Sequence, residues 1–189
     1  TGIGALVIAL TEYVRLDSGC VSVNGHTIAR LRPYEIAERG LVRTFQLASE
    51  LSNMTVLENM MTAPRGQIGE NFFAAIFSKN RWKKEEERHL MAARTTLAKF
   101  GLQSKEDEYA GNLSGGQKRL LELARALMTQ PTMLLLDEPM SGVSGPLIDV
   151  LADHILRLNR ETGLTFLIIE HDLGFIEKVC DRVNVMVNG

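Results

Sequence analysis

Apolar residues recur along this chain in two rhythms, and the rhythm separates helices from strands. Ile3, Leu6, Val7, Leu10 and Val14 share one helical face. Leu90, Ala93, Leu97 and Phe100 repeat the pattern, with Gly101 as a natural stop. From Gln117 to Met128, Leu120, Ala124, Leu127 and Met128 keep helical spacing while Lys118, Glu122 and Arg125 form a polar stripe opposite. A fourth helix, started by Ser144-Gly145 with Pro146 in its first turn, turns Leu147, Leu151, Ile155 and Leu158 inward and stops at Gly163.

Strands read differently. Thr132-Met133-Leu134-Leu135-Leu136 and Leu164-Thr165-Phe166-Leu167-Ile168-Ile169 are unbroken apolar runs, as expected of parallel strands covered on both faces. Shorter strands are predicted around Cys20–Val23, ending in an Asn24-Gly25 turn, at Leu41–Phe45 before Gln46, and at Val183–Val187. Pro64-Arg65-Gly66-Gln67 and Ser78-Lys79-Asn80 mark loops. The run Lys83 to Arg88 reads as a solvated helix face.

Candidate chemistry collects where these runs end. Asp137 and Glu138 follow the first strand, and Glu170, His171 and Asp172 follow the second, so both groups fall at carboxyl ends, where open parallel sheets bind ligands. A carboxylate there can hold Mg²⁺ through water, and its neighbour can orient or deprotonate an attacking water. His171 suits a polar contact to a terminal phosphate. Gln46, being neutral, suits a metal-bound water better than proton transfer. Ser114, Gly115, Gly116 and Gln117 open a helix whose unpaired N–H groups favour an anion. Taken alone, the same four residues describe a capped helix after a flexible loop.

In this order and spacing the chain resembles the ATP-binding subunits of ABC transporters. Leu113 to Gln117 match their signature, Leu134 to Glu138 their Walker B strand and glutamate, His171 their histidine switch and Gln46 their Q-loop glutamine. Gly40 to Gln46, Met54 to Asn59 and Glu170 to Leu173 look most like importers of branched-chain amino acids, with amide and urea importers reading similarly. The resemblance implies an α/β, P-loop NTPase-like ATPase core, truncated at its start, with an inserted α-helical subdomain. Residues 1–46 would be the N-terminal core remnant, 47–127 the helical subdomain and 128–189 the rest of the core. It implies ATP and Mg²⁺ as ligands: Gln46 and Asp137 for the metal, Glu138 and His171 for catalysis, Ser114 to Gln117 for a partner's nucleotide. The implied partners are a second ABC ATPase subunit and transmembrane permease subunits. The implied location is peripheral, on the cytoplasmic face of the plasma (inner) membrane.

Two segments depart from the family pattern. Counting back from Asp17-Ser18-Gly19, Ile3 stands where the phosphate-loop lysine is expected and Gly4 where its hydroxyl partner is expected. Beyond the acids, Ser141-Gly142-Val143-Ser144-Gly145-Pro146 lacks the family's usual Asn or Asp before Pro. Three readings are left open: an importer ATPase with an incomplete start, a non-hydrolysing subunit that completes a partner's site, and an ABC protein of DNA repair or translation. A net charge of −2 gives no electrostatic reason for nucleic acid and disfavours the last. With 45% hydrophobic and 23% charged residues, 189 residues can bury a core. Cys20 and Cys180 have no metal or redox spacing and read as free, buried thiols. The apolar stretch Ile3 to Leu10 is too short to span a bilayer and lacks a basic start.

Overall fold

The computed structural model describes residues 19–28, 31–44, 51–64, 79–143 and 145–187. The expected helix over Ile3–Val14, Gln46, the loop at 65–67 and Ser144 lie outside them. The elements run β1 (Ser22–Val23), β2 (His26–Thr27), α1 (Pro33–Glu38), β3 (Leu41–Arg43), α2 (Val56–Met61) and α3 (Lys79–Lys99). Then follow α4 (Gly115–Leu127), β4 (Met133–Asp137), α5 (Gly145–Thr162), β5 (Thr165–Ile169) and α6 (Leu173–Val179). The chain divides into two compact units, one of residues 1–44 with 131–189 and the other of residues 45–130.

The first unit is α/β. Its parallel sheet has the order β3-β4-β5, and β4 is central. Leu134, Leu135 and Leu136 are buried, which is why this strand carries no polar alternation. The β1–β2 hairpin turns at Asn24 and Gly25, whose φ of 51° and 78° suit the two-residue turn that matches strand twist. Val23, Ile28, Ile36 and Leu41 form a small core beneath it, with Met133 packed alongside. Gly40, at φ 95°, brings its carbonyl to the N–H groups of Thr132 and Met133, both at 3.0 Å. That turn sets the start of β3 beside the start of β4. Helix α5 buries Leu151, Ile155 and Leu158 and ends at Gly163 (φ 70°), whose N–H donates to the Asn159 carbonyl.

The second unit is helical. Ala93 and Leu97 of α3 are fully buried, and Gly101 takes φ 68° just past its end. The Leu102 N–H returns to the Leu97 carbonyl at 2.9 Å, closing the helix end. Thr55 caps α2 by accepting from the Glu58 N–H at 3.1 Å, and Glu58 accepts from the Thr55 N–H at 2.7 Å. Asn59, the buried polar residue of α2, donates from its amide to the Leu51 and Thr55 carbonyls at 3.1 and 2.9 Å.

Three expectations need correction. Lys79 and Asn80 belong to α3 rather than to a loop. Cys20 is exposed and Cys180 half-buried, because one precedes a surface hairpin and the other follows the short helix α6. Val183–Val187 forms no strand: the alternating valines are 57%, 83% and 76% exposed, and no ladder partner stands beside them among the described residues. The stretch instead borders a cleft of about 490 Å³ along β5. Along the polar stripe of α4, Glu122 is paired to Arg119 with its side chain only 10% exposed. Leu121 and Leu123 are buried besides the expected Leu120 and Ala124, so this helix is covered around most of its circumference.

Candidate functional site

The parallel register decides which polar residues meet. Arg43 pairs with Leu135 across β3 and β4, and Asp137 pairs with Ile169 across β4 and β5. Asp137 is therefore the last residue of the central strand, and Glu138, Glu170 and His171 leave the sheet at the same carboxyl edge. The His171 side chain is 82% exposed and Glu138 is exposed, so both open to solvent at this edge. Glu138 takes φ 47°, a left-handed conformation that costs a side-chain-bearing residue about 1–3 kcal/mol. Two backbone bonds hold it there: its N–H donates to the Ile169 carbonyl at 2.9 Å, and its own carbonyl accepts from the Ser141 N–H at 3.0 Å.

Sequence reasoning missed Arg43 at this edge, and it placed Glu170 there without giving it a task. Arg43 donates to Asp137 Oδ2 at 2.9 Å, with side chains 16% and 31% exposed. The carboxylate thus has a resident counter-charge from the neighbouring strand. The Glu170 side chain is 1% exposed, its Oε1 accepts from the Met140 N–H at 2.8 Å and its Oε2 from the His171 N–H at 3.1 Å. His171 Nδ1 lies 3.6 Å from the same Oε2. An apolar run before Glu170 was the available signal, but burial of a residue past a strand end has no sequence pattern of its own.

Ser114, Gly115, Gly116 and Gln117 lie in the helical unit, at the start of α4. Ser114 Oγ accepts from the Gln117 N–H at 3.3 Å, and Gln117 Oε1 accepts from the Ser114 N–H at 3.0 Å. This reciprocal cap satisfies two groups that a helix start leaves open, and it fixes the loop that precedes it. Ser114 and Gly115 are exposed and Gly116 is buried. Further along α4, burial pushes the Glu122 carboxyl above its ordinary range, against the opposing pull of the Arg119 guanidinium at 2.9 Å. Burial likewise lowers the Arg125 guanidinium.

A divalent cation can be tested against these donors. Among the described residues no group of three or more His, Cys, Asp or Glu side chains converges. That excludes an all-protein cage there, yet Mg²⁺ commonly takes one or two carboxylates and completes its shell with water and phosphate oxygens. Asp137, at the solvent-reaching end of β4, fits that simpler role.

The family model described as ABC transporter matches residues 1–141. The chain is 39% identical over 189 residues to the probable branched-chain amino acid transport ATP-binding protein LivG of Archaeoglobus fulgidus, spanning all of this chain and 72% of that protein. It is 33% identical over 180 residues to the high-affinity branched-chain amino acid transport ATP-binding protein BraF of Pseudomonas aeruginosa, covering 95% of this chain and 71% of BraF. Among solved structures, the ADP conformation of MJ1267, an ATP-binding cassette of an ABC transporter, superposes with a TM-score of 0.77 at 36% identity. That match covers 94% of this chain and 69% of MJ1267.

Proposed function

The chain belongs to the ABC transporter family, and from that premise we propose that it is the ATP-binding subunit of an importer for branched-chain amino acids. The observation that carries the site is the gathering of Asp137, Glu138 and His171 at one carboxyl edge of a parallel sheet. Each has a distinct task there. Asp137, held by Arg43, offers an aimed carboxylate to magnesium. Glu138 is placed to polarise a water and accept its proton, and His171 to hydrogen-bond the terminal phosphate. Magnesium held by Asp137 and, through water, by Gln46 would supply neutralisation of the charge that develops during phosphoryl transfer.

Gln46 would serve the metal's water shell, and Ser114 to Gln117 would present their helix start to nucleotide held by a second ATPase subunit. Two such subunits closing on ATP would drive the permease subunits on which they dock. Among the described residues no helix is long and apolar enough to cross a membrane. We assign the subunit to the cytoplasmic face of the membrane, attached through the permease.

Ile3 and Gly4 mark where the chain's own phosphate grip is weakest. A lost charge-assisted hydrogen bond is worth about 1.5–3 kcal/mol, or one to two decades of affinity. The test is fluorescent ATP-analogue binding by the purified chain, displaced with ATP, ADP and GTP, alongside the double variant Ile3→Lys, Gly4→Thr. We expect weak binding that tightens by about one to two decades in the double variant. Absence of binding in both proteins, with each folded by circular dichroism, would overturn the assignment.

A further inference from the structure

We infer that Glu170 is a positioning residue that locks the loop carrying Glu138 to the loop carrying His171. The inference deepens the nucleotide-site reading above and rests on it. Glu138, Pro139 and Met140 form the turn after β4, and Glu170 and His171 the turn after β5. Two bonds cross between these turns. The Glu138 N–H reaches the Ile169 carbonyl at 2.9 Å, and the Met140 N–H reaches Glu170 Oε1 at 2.8 Å. The two therefore bracket Glu138, which stands at φ 47°. A left-handed glutamate persists only when its surroundings over-determine it, and Glu170 adds a third tie, at Met140, to the bonds Glu138 makes with Ile169 and Ser141.

The second carboxylate oxygen works on the other loop. Oε2 accepts from the His171 N–H at 3.1 Å and lies 3.6 Å from His171 Nδ1. One buried carboxylate thus fixes the backbone on which the water-polarising residue sits and the backbone of the phosphate-sensing imidazole. Its burial makes the arrangement rigid: at 1% side-chain exposure, water cannot readily replace either N–H. Glutamine is a poor substitute. It has one acceptor oxygen, and its NH₂ would face one of the two N–H donors.

The experiment compares wild type, Glu170→Gln and Glu170→Asp by residue-resolved amide hydrogen exchange, with ATP and ADP affinities measured on the same samples. Glu170→Asp keeps the charge but is one methylene short of bridging both loops, so it decides the matter if the glutamine variant fails to fold. We expect exchange at Met140 or His171 to rise about tenfold or more, as loss of a charge-assisted bond requires, while Leu135 and Leu136 keep their wild-type rates. Preference for ATP over ADP should fall by a similar factor, with ADP affinity unchanged. Unaltered exchange at both amides, or uniform acceleration along β4 and β5, would overturn the inference. A retained ATP preference despite the local opening would do so too. A wild-type chain that bound neither nucleotide would count against the functional reading instead, and the exchange rates would still decide whether Glu170 ties the loops.

Discussion

The Arg43–Asp137 pair can be weighed by a double-mutant cycle. Its 2.9 Å separation and side-chain exposures of 16% and 31% place it between two regimes. Fully exposed pairs contribute about 0.2–1 kcal/mol, while removing one partner of a buried pair costs about 3–5 kcal/mol. Asp137 still reaches water, which relieves part of the penalty when the guanidinium goes. We therefore expect Arg43→Met to destabilise by about 2 kcal/mol, from the interval between those regimes. Asp137→Asn should cost less, about 1 kcal/mol, because the amide oxygen can still accept from Arg43. The double variant should lose less than the sum, giving a coupling energy of about 1–2 kcal/mol. Denaturant and thermal unfolding followed by circular dichroism read all four proteins, and a chain of this size should show Tm shifts of about 2–4 °C per kcal/mol in the thermal scans. A coupling below about 0.3 kcal/mol, within the scatter of independent sites, would refute the claim that Arg43 holds this carboxylate.

Three further outcomes follow from particular contacts. Gly40→Ala should destabilise by about 2 kcal/mol or more, since the residue sits at φ 95° and a methyl would fall on Thr132 Oγ1; an unchanged unfolding midpoint would contradict this account of the β3–β4 start. Ser114→Ala removes the acceptor for the Gln117 N–H at 3.3 Å and should cost about 1 kcal/mol; wild-type stability in the same unfolding assay would show that the cap contributes nothing. Burial holds the Glu122 carboxyl above its ordinary 4.5, so the folded state binds a proton the unfolded chain releases. Its contribution is then complete below pH 4.5 and declines as pH rises through the folded value. Stability of wild type relative to Glu122→Gln should fall across that interval, and parallel stability–pH curves would rule it out.

What the sequence discloses here, and what it conceals, divides along the line between local and cross-strand physics. Leu134–Leu136 and Phe166–Ile169 are unbroken apolar runs, which sufficed to read both as parallel strands and to put Asp137, Glu138 and His171 at strand ends, although only the first run is fully buried and the second is half-buried. Helix stops were legible for a similar reason, because Gly101 and Gly163 adopt positive φ that few other residues tolerate. Alternation misled at Val183–Val187: it describes a segment able to pair, and pairing needs a ladder partner that no local pattern supplies. The burial of Glu122 was not legible either, since it depends on Arg119 one turn earlier, which lets a charge be buried. The tasks of Arg43 and Glu170 were illegible for the strongest reason. Arg43 acquires its role only from the register that sets it beside Leu135, two residues before Asp137. Glu170 acquires its role only because the turns after two strands separated by a helix converge on one carboxylate. Residues proposed to touch ligand can be read from their chemistry at a strand end, whereas residues that hold those in place are defined by neighbours about 30 to 90 positions away. The sequence separations of Met140 from Glu170 and of Arg43 from Asp137, 30 and 94 residues, are the measure of that gap.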